Sequence, residues 1–258
     1  MTLVLCHCAS RRLLDATRLQ QVRAAVLAQG GETIDVGDLC ALAARGDADL
    51  ATALAAEDVV LGGCHVRALR ALVRRLLGHD SPSLRALDLR EADDAGILAG
   101  LGGAGFPASL PAAPALSPAE DAWYPLIDAE RCTDCGSCHA FCLFGVYARE
   151  PAGAVRVQAP LSCKTDCPAC ARICPANAII FPKCPDPAIN GAIRTPEQLQ
   201  GARLRLDPKE VFGGDLRAKL AARRALAAAA PTPLFRPGVF AEPPPDATAE
   251  PLPGGPDR

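Results

Sequence analysis

Eight of the thirteen cysteines fall in two tight runs, and those runs constrain the fold more than any other feature of the chain. The first is Cys132-x2-Cys135-x2-Cys138-x3-Cys142. The second is Cys163-x3-Cys167-x2-Cys170-x3-Cys174, followed at once by Pro175. Such short spacings let three successive thiolates wrap three corners of one iron–sulfur cube. The fourth corner must come from elsewhere in the chain, so the two runs have to lock together. Zinc can also use Cys-x2-Cys pairs, but a run of four with a trailing Cys-Pro suits a cube better. Disulfides fit less well, because the cysteine count is odd and the N-terminus carries no secretory signal. Cys135-Gly136-Ser137-Cys138-His139 matches a c-type haem attachment motif. Cys132 and Cys142 stand in register on either side of it, however, and haem attachment would need export. His139 therefore reads as an ordinary loop residue.

The two runs resemble those of the bacterial two-cluster ferredoxins, in which each run gives three thiolates to one 4Fe-4S cube and its last thiolate to the other. The resemblance implies that Cys132, Cys135, Cys138 and Cys174 hold one cube, and that Cys163, Cys167, Cys170 and Cys142 hold the second. It covers roughly residues 120 to 190, including Trp123-Tyr124-Pro125-Leu126-Ile127-Asp128 before the first run and Asn177-Ala178-Ile179-Ile180-Phe181 after the second. The chain departs from the family pattern twice. One extra residue lies between Cys163 and Cys167, in Lys164-Thr165-Asp166. The first run ends in Cys142-Leu143 where many ferredoxins have Cys-Pro.

Residues 1 to 90 alternate short apolar runs with amphipathic stretches. Leu3-Val4-Leu5, Thr33 to Val36, Asp58 to Gly63 and Leu84 to Leu89 read as strands. Asp15 to Ala28, a stretch reaching Ala56, and His65 to Leu77 read as helices, with Leu19, Val22, Val26 and Leu27, then Leu69, Leu72, Val73 and Leu76, at helical spacing. Strands alternating with helices predict a small parallel α/β sheet. Cys6 and Cys8 follow the first strand, Cys40 the second and Cys64 the third. Ligands collect outside the carboxyl ends of parallel strands, so these four thiols are expected to converge at one edge. The pattern Val4-Leu5-Cys6-His7-Cys8, Leu39-Cys40, Gly62-Gly63-Cys64 resembles the N-terminal domain of the HdrA-type component of heterodisulfide reductase and related proteins. That resemblance implies electron transfer near a thiol- or flavin-handling complex. A third 4Fe-4S cluster on Cys6, Cys8, Cys40 and Cys64 is the sharpest reading. Metal-free redox thiols and inert buried cysteines remain open beside it. His7 and His65 read as polar rim residues, and Cys184, with no spacing partner, as a bystander.

The expected organisation is thus an α/β cysteine-containing domain over 1–92, a Gly/Ala/Pro-rich linker over 93–118 and an α+β dicluster ferredoxin-like domain over 119–192. A C-terminal extension with a helix (215–229) occupies 193–230, and a disordered tail 231–258. The loop Gly100-Leu101-Gly102-Gly103-Ala104-Gly105-Phe106-Pro107 looks like the glycine-rich loop of flavin-binding oxidoreductase subunits. The rest of that fold has no room here, so flavin is not expected. A net charge of −2 leaves no nucleic-acid footprint, and no apolar run approaches the roughly 20 residues of a membrane span. Together these features predict a cytoplasmic iron–sulfur electron carrier serving a reductase or dehydrogenase. Its rivals are a subunit using the N-terminal cysteines for thiol–disulfide chemistry and a non-catalytic iron–sulfur adaptor.

Overall fold

Leu3-Val4-Leu5 and Val59-Val60-Leu61 are apolar without alternation, the pattern of parallel strands covered on both faces. In the computed structural model all six are 3% exposed or less. The structure describes residues 1–195 except 82, 104 and 117–119, and all of these lie in one compact unit spanning residues 1–206. The helix expected over 215–229 and the tail over 231–258 lie outside the described residues.

Four strands build the first sheet: β1 (Thr2–Cys6), β2 (Glu32–Val36), β3 (Val59–Gly63) and β4 (Arg85–Asp88). All pairings are parallel, in the order β2-β1-β3-β4, with Thr2 opposite both Glu32 and Val59. The chain leaves β1 to one side for β2 and returns to the other for β3, so the strand order switches direction at β1/β3. Helix α1 (Ala16–Ala28) starts at Asp15, whose carboxylate accepts the Arg18 N–H. It buries Leu19, Val22 and Val26, while Leu27, expected on the same face, is exposed.

The helical stretch to Ala56 is two helices, α2 (Leu39–Arg45) and α3 (Ala48–Ala55). Gly46 ends α2 in the left-handed region at φ 70°, and Asp47 caps α3 through the Leu50 N–H. Helix α4 (Val66–Leu77) closes on Gly78 and buries Leu69, Leu72 and Val73. Part of the glycine-rich stretch is also a helix, α5 (Asp94–Leu101), packed on β4 and α1. A Cβ on Gly100 would stand 2.2 Å from Leu87 Cδ2, so that glycine serves close helix–strand packing rather than an open phosphate loop.

The second half is built from small pieces. Strands β5 (Leu126–Ile127) and β8 (Ile179–Ile180) pair antiparallel, Leu126 opposite Ile180. This ladder ties the approach to the first cysteine run to the exit from the second. Between them lie α6 (Ser137–Phe141), the hairpin β6 (Tyr147–Arg149) and β7 (Val155–Val157), and α7 (Ala169–Ile173). His139 sits exposed on α6, not in a loop as expected, because the turn that carries Cys138 is helical.

Candidate metal centre

The antiparallel β5–β8 ladder brings Cys174 back to the first run. Its thiol is an electrostatic neighbour of Cys132 and Cys138, and Cys138 also senses Cys135. A cavity opens among them, lined by Cys132, Cys135, Cys138 and Cys174 with Gly136 and Pro175. The Ala178 N–H points at Cys174 Sγ, 3.3 Å away. Cys142, at the far end of the first run, faces the other way. Its neighbours are Cys163 and Cys170, and Cys163 in turn senses Cys167. Burial dominates these thiols, pushing Cys138 up to about 11 and Cys163 and Cys170 up to about 12. Cys135 differs. It is exposed, and the Ser137 hydroxyl and amide hold its thiol below the ordinary value of 9.0.

The N-terminal cysteines gather at the carboxyl edge of the parallel sheet. Cys6 ends β1, Cys64 follows β3, and Cys40 lies in the first turn of α2, so Cys6 and Cys64 flank the point where the strand order reverses. Cys64 senses both Cys6 and Cys8, and Cys40 senses Cys64 and Cys6. The Leu39 N–H donates to Cys6 Sγ at 3.4 Å. Burial is again the leading cause of the upward shift, to about 12 for Cys6 and well above the ordinary value for Cys40 and Cys64. Cys8 is held in the left-handed region at φ 46°. Among the described residues no group of three or more His, Cys, Asp and Glu side chains is drawn in tightly enough to hold a single metal ion.

Residues 124–175 match the family model of the 4Fe-4S dicluster domain. This is an iron–sulfur domain of the ferredoxin type. Over 61 residues the chain is also 51% identical to an uncharacterised ferredoxin of Methanocaldococcus jannaschii. The match takes in 23% of this chain and 41% of that protein, so the chain spans less than half the length of the relative it resembles. Among the described residues no helix is long and apolar enough to cross a membrane.

The ferredoxin domain and the N-terminal thiols meet along a seam that sequence reasoning did not foresee. Lys183 leaves the ferredoxin domain just after β8, and its side chain is 3% exposed. Its Nζ donates to Asp38 Oδ2 at 2.7 Å, Ser10 Oγ at 2.9 Å and Asp121 Oδ1 at 3.0 Å. Burial works against this ammonium, but Cys40, Asp38 and Asp121 outweigh it and raise its pKa. Arg11 bonds Asp121 and Asp166 and lies 4.8 Å over the Trp123 ring. Trp123 stacks on Phe181, and its Nε1 donates to the Cys167 carbonyl at 3.5 Å. The neighbouring Tyr124 donates its hydroxyl to the Cys40 carbonyl at 2.9 Å. Arg67 adds a clamp farther along, to Asp128 and the Asn177 carbonyl. Of these residues, Ser10, Arg11, Asp38, Arg67, Asp121 and Lys183 carried no spacing or motif that would have singled them out.

The two histidines divide. His7, expected at a polar rim, is part-buried and bonds Asp35 at 2.7 Å. His65, expected at a polar rim, is 1% exposed and bonds Asp88 through Nδ1, because it caps α4 beneath the sheet edge. Cys184 is buried in the ferredoxin core. Tyr147 is a further residue that the spacing did not single out. It is buried and its hydroxyl has no hydrogen-bond partner among the described residues; burial, and after it Cys170, raises its pKa.

Proposed function

We propose that this chain is an electron-transfer protein with three 4Fe-4S clusters, working with a redox partner within an oxidoreductase complex of the cytoplasm, where ligand thiols stay reduced. In this reading Cys132, Cys135, Cys138 and Cys174 hold one cluster of the ferredoxin domain. Cys163, Cys167, Cys170 and Cys142 hold the other, and Cys6, Cys8, Cys40 and Cys64 hold the third. When bound, such clusters exchange one electron each at potentials set by hydrogen bonds to sulfur and by burial. The observation that carries the reading is that the last cysteine of each run lies with the other run: Cys174 shares a cavity with Cys132, Cys135 and Cys138, and Cys142 neighbours Cys163. All three donor sets are purely thiol, the donor chemistry of 4Fe-4S clusters.

The protein's own residues supply the surroundings. The Leu39 and Ala178 amides point at ligand sulfurs, and amide donors to sulfur favour the more negative, reduced state. The ammonium of Lys183 lowers the cost of negative charge at Cys40 and Cys8. A thiol–disulfide enzyme using Cys6, Cys8, Cys40 or Cys64 is less well supported. Attack requires a thiolate at neutral pH, whereas burial holds Cys6 near 12 and the others also above the ordinary value.

Iron and acid-labile sulfide counts on the full chain, purified without oxygen, test the assignment. About twelve of each are expected, four per cluster. Cys40→Ser and Cys64→Ser should each lower the count by about one cluster while sparing the ferredoxin-domain signals. Stoichiometric zinc without sulfide would refute the whole assignment, and about eight irons would remove its N-terminal part.

A further inference from the structure

We propose that Trp123 and Tyr124 form an electron-coupling bridge between the N-terminal thiol set and the Cys163/Cys167/Cys170/Cys142 set, so that electrons pass between the two halves of the protein inside one chain. The inference rests on the three-cluster reading and adds to it which ferredoxin site faces the N-terminal module and by what contact.

Two consecutive side chains reach in opposite directions. Trp123 donates to the carbonyl of Cys167, and Tyr124 to the carbonyl of Cys40. One peptide unit therefore joins the backbones of two ligand residues that are 127 positions apart in sequence (40 and 167). The crevice beside this pair, walled by Cys40, Phe181 and Lys183, has no room for water. Cys163 packs against both hydrophobic cores, the N-terminal one that includes Cys6, Cys8 and Cys40 and that of the ferredoxin domain. Tunnelling of an electron falls steeply with distance and goes faster through packed atoms than across a gap, so a dry aromatic contact favours it.

A second observation points to the same pair of sites. The three residues between Cys163 and Cys167, one more than in the usual run, include Asp166 at φ 59° in the left-handed region. Its carboxylate accepts from Arg11 Nη1 at 2.7 Å, and Arg11 stands three residues beyond Cys8. The longer interval thus reaches across the seam to the loop that holds the N-terminal thiols. The first ferredoxin set is also tied to the N-terminal module, by Arg67 of α4 to Asp128 and the Asn177 carbonyl; what sets the second apart is the Trp123–Tyr124 contact to the backbones of Cys167 and Cys40. Within the ferredoxin domain, Cys138 of the first set neighbours Cys170 of the second.

The step moves one electron and nothing else: the donor site is oxidised by one unit, the acceptor reduced by one, and no bond or proton changes place. The electron enters from an external one-electron reductant. The test uses the full chain, with iron counted first. About eight irons would overturn the three-cluster reading and the bridge with it, while about twelve isolates the bridge. In the fully dithionite-reduced protein, the electron paramagnetic resonance of the N-terminal site should be broadened by its neighbour. That broadening should be lost in Cys167→Ser and kept in Cys135→Ser. An N-terminal signal unchanged in Cys167→Ser would overturn the proposal. Trp123→Leu with Tyr124→Phe, which remove no ligand, should keep the iron count. After addition of less than one equivalent of dithionite and rapid freezing, they should lose the fast phase in which the electron redistributes. Redistribution at the unaltered rate would equally overturn it.

Discussion

Replacing Lys183 by Met should weaken the seam more than any other single change of a non-ligand residue. The ammonium is 3% exposed and the Asp38 carboxylate 2%, so Met fills the space but leaves a buried carboxylate facing no cation. Breaking a buried pair by removing one partner costs about 3–5 kcal/mol. Asp38 keeps the Ser10 hydroxyl and the Ala41 N–H, the latter at 3.1 Å as the cap of α2, which puts the loss at the low end, about 3 kcal/mol. If all of it appears in the barrier to opening, the holoprotein should lose its visible absorbance in denaturant about a hundredfold faster, at roughly 1.4 kcal/mol per tenfold. A rate is the appropriate readout, because cofactor-bearing proteins seldom unfold reversibly. Lys183→Met with Asp38→Asn removes both charges and should recover most of the rate, since a neutral pair leaves no buried charge unpaired. Bleaching of Lys183→Met at the wild-type rate would refute the reasoning. So would a double variant that bleaches faster than the single one, because the harm would then not come from the stranded carboxylate.

Further outcomes follow from the same geometry. Cys174→Ser should damage the cluster assigned to Cys132, Cys135 and Cys138, read as loss of that site's resonance; damage confined to the site of Cys163, Cys167 and Cys170 would show the crossed ligation to be wrong. Tyr147→Phe should lower the potential of the site containing Cys170 in a spectroelectrochemical titration, because a buried hydroxyl next to that sulfur can donate to it and favour the reduced form; an unchanged or higher potential would deny the bond. Arg11, and after it Lys183, hold the Asp121 carboxyl below its ordinary 3.8. Its stabilising contribution is therefore present above about pH 4 and lost as pH falls through the lower folded value. The difference in bleaching rate between wild type and Asp121→Asn should shrink as pH drops below that point, and a gap that widens on acidification would contradict the assignment.

The parallel sheet was legible because its central strands are uninterrupted apolar runs and α4 keeps a clean apolar period, whereas α1, with Leu27 exposed, keeps it only in part. What stayed hidden were breaks with local causes. Gly46 and Asp47 split one expected helix in two by a left-handed cap followed directly by a new N-cap. Asp93 caps a helix inside a stretch whose glycines suggested only a loop. The cysteines were legible for a different reason. Metal ligation, the role proposed for them, imposes spacing on sequence, whereas packing imposes only character. Lys183, Asp38, Arg11 and Asp121 obey no spacing rule, and their charge predicts solvent; burial of Lys183 and Asp38 becomes tolerable only because segments far apart in sequence supply opposite charges at 2.7 to 3.0 Å.

The anomaly in the second run shows how these two kinds of information join. A two-residue interval between Cys163 and Cys167 would satisfy the ligands alone, so a third residue there has to answer to something else. In the fold it answers to Arg11, whose other contacts are Asp121 and the face of Trp123. Trp123 in turn bonds the carbonyl of Cys167, closing a ring of contacts around the lengthened loop. Gly191 makes a comparable adjustment on the far side. At φ 100°, a Cβ there would lie 2.9 Å from the Cβ of Ala68 on α4, so the backbone after β8 touches the N-terminal helix directly. The lengthened interval of the second run and the turn at Gly191 thus both fall where the ferredoxin domain meets the α/β module. Their placement joins the two halves by direct contact, and so supports the proposal that the N-terminal thiols and the ferredoxin domain act as one unit.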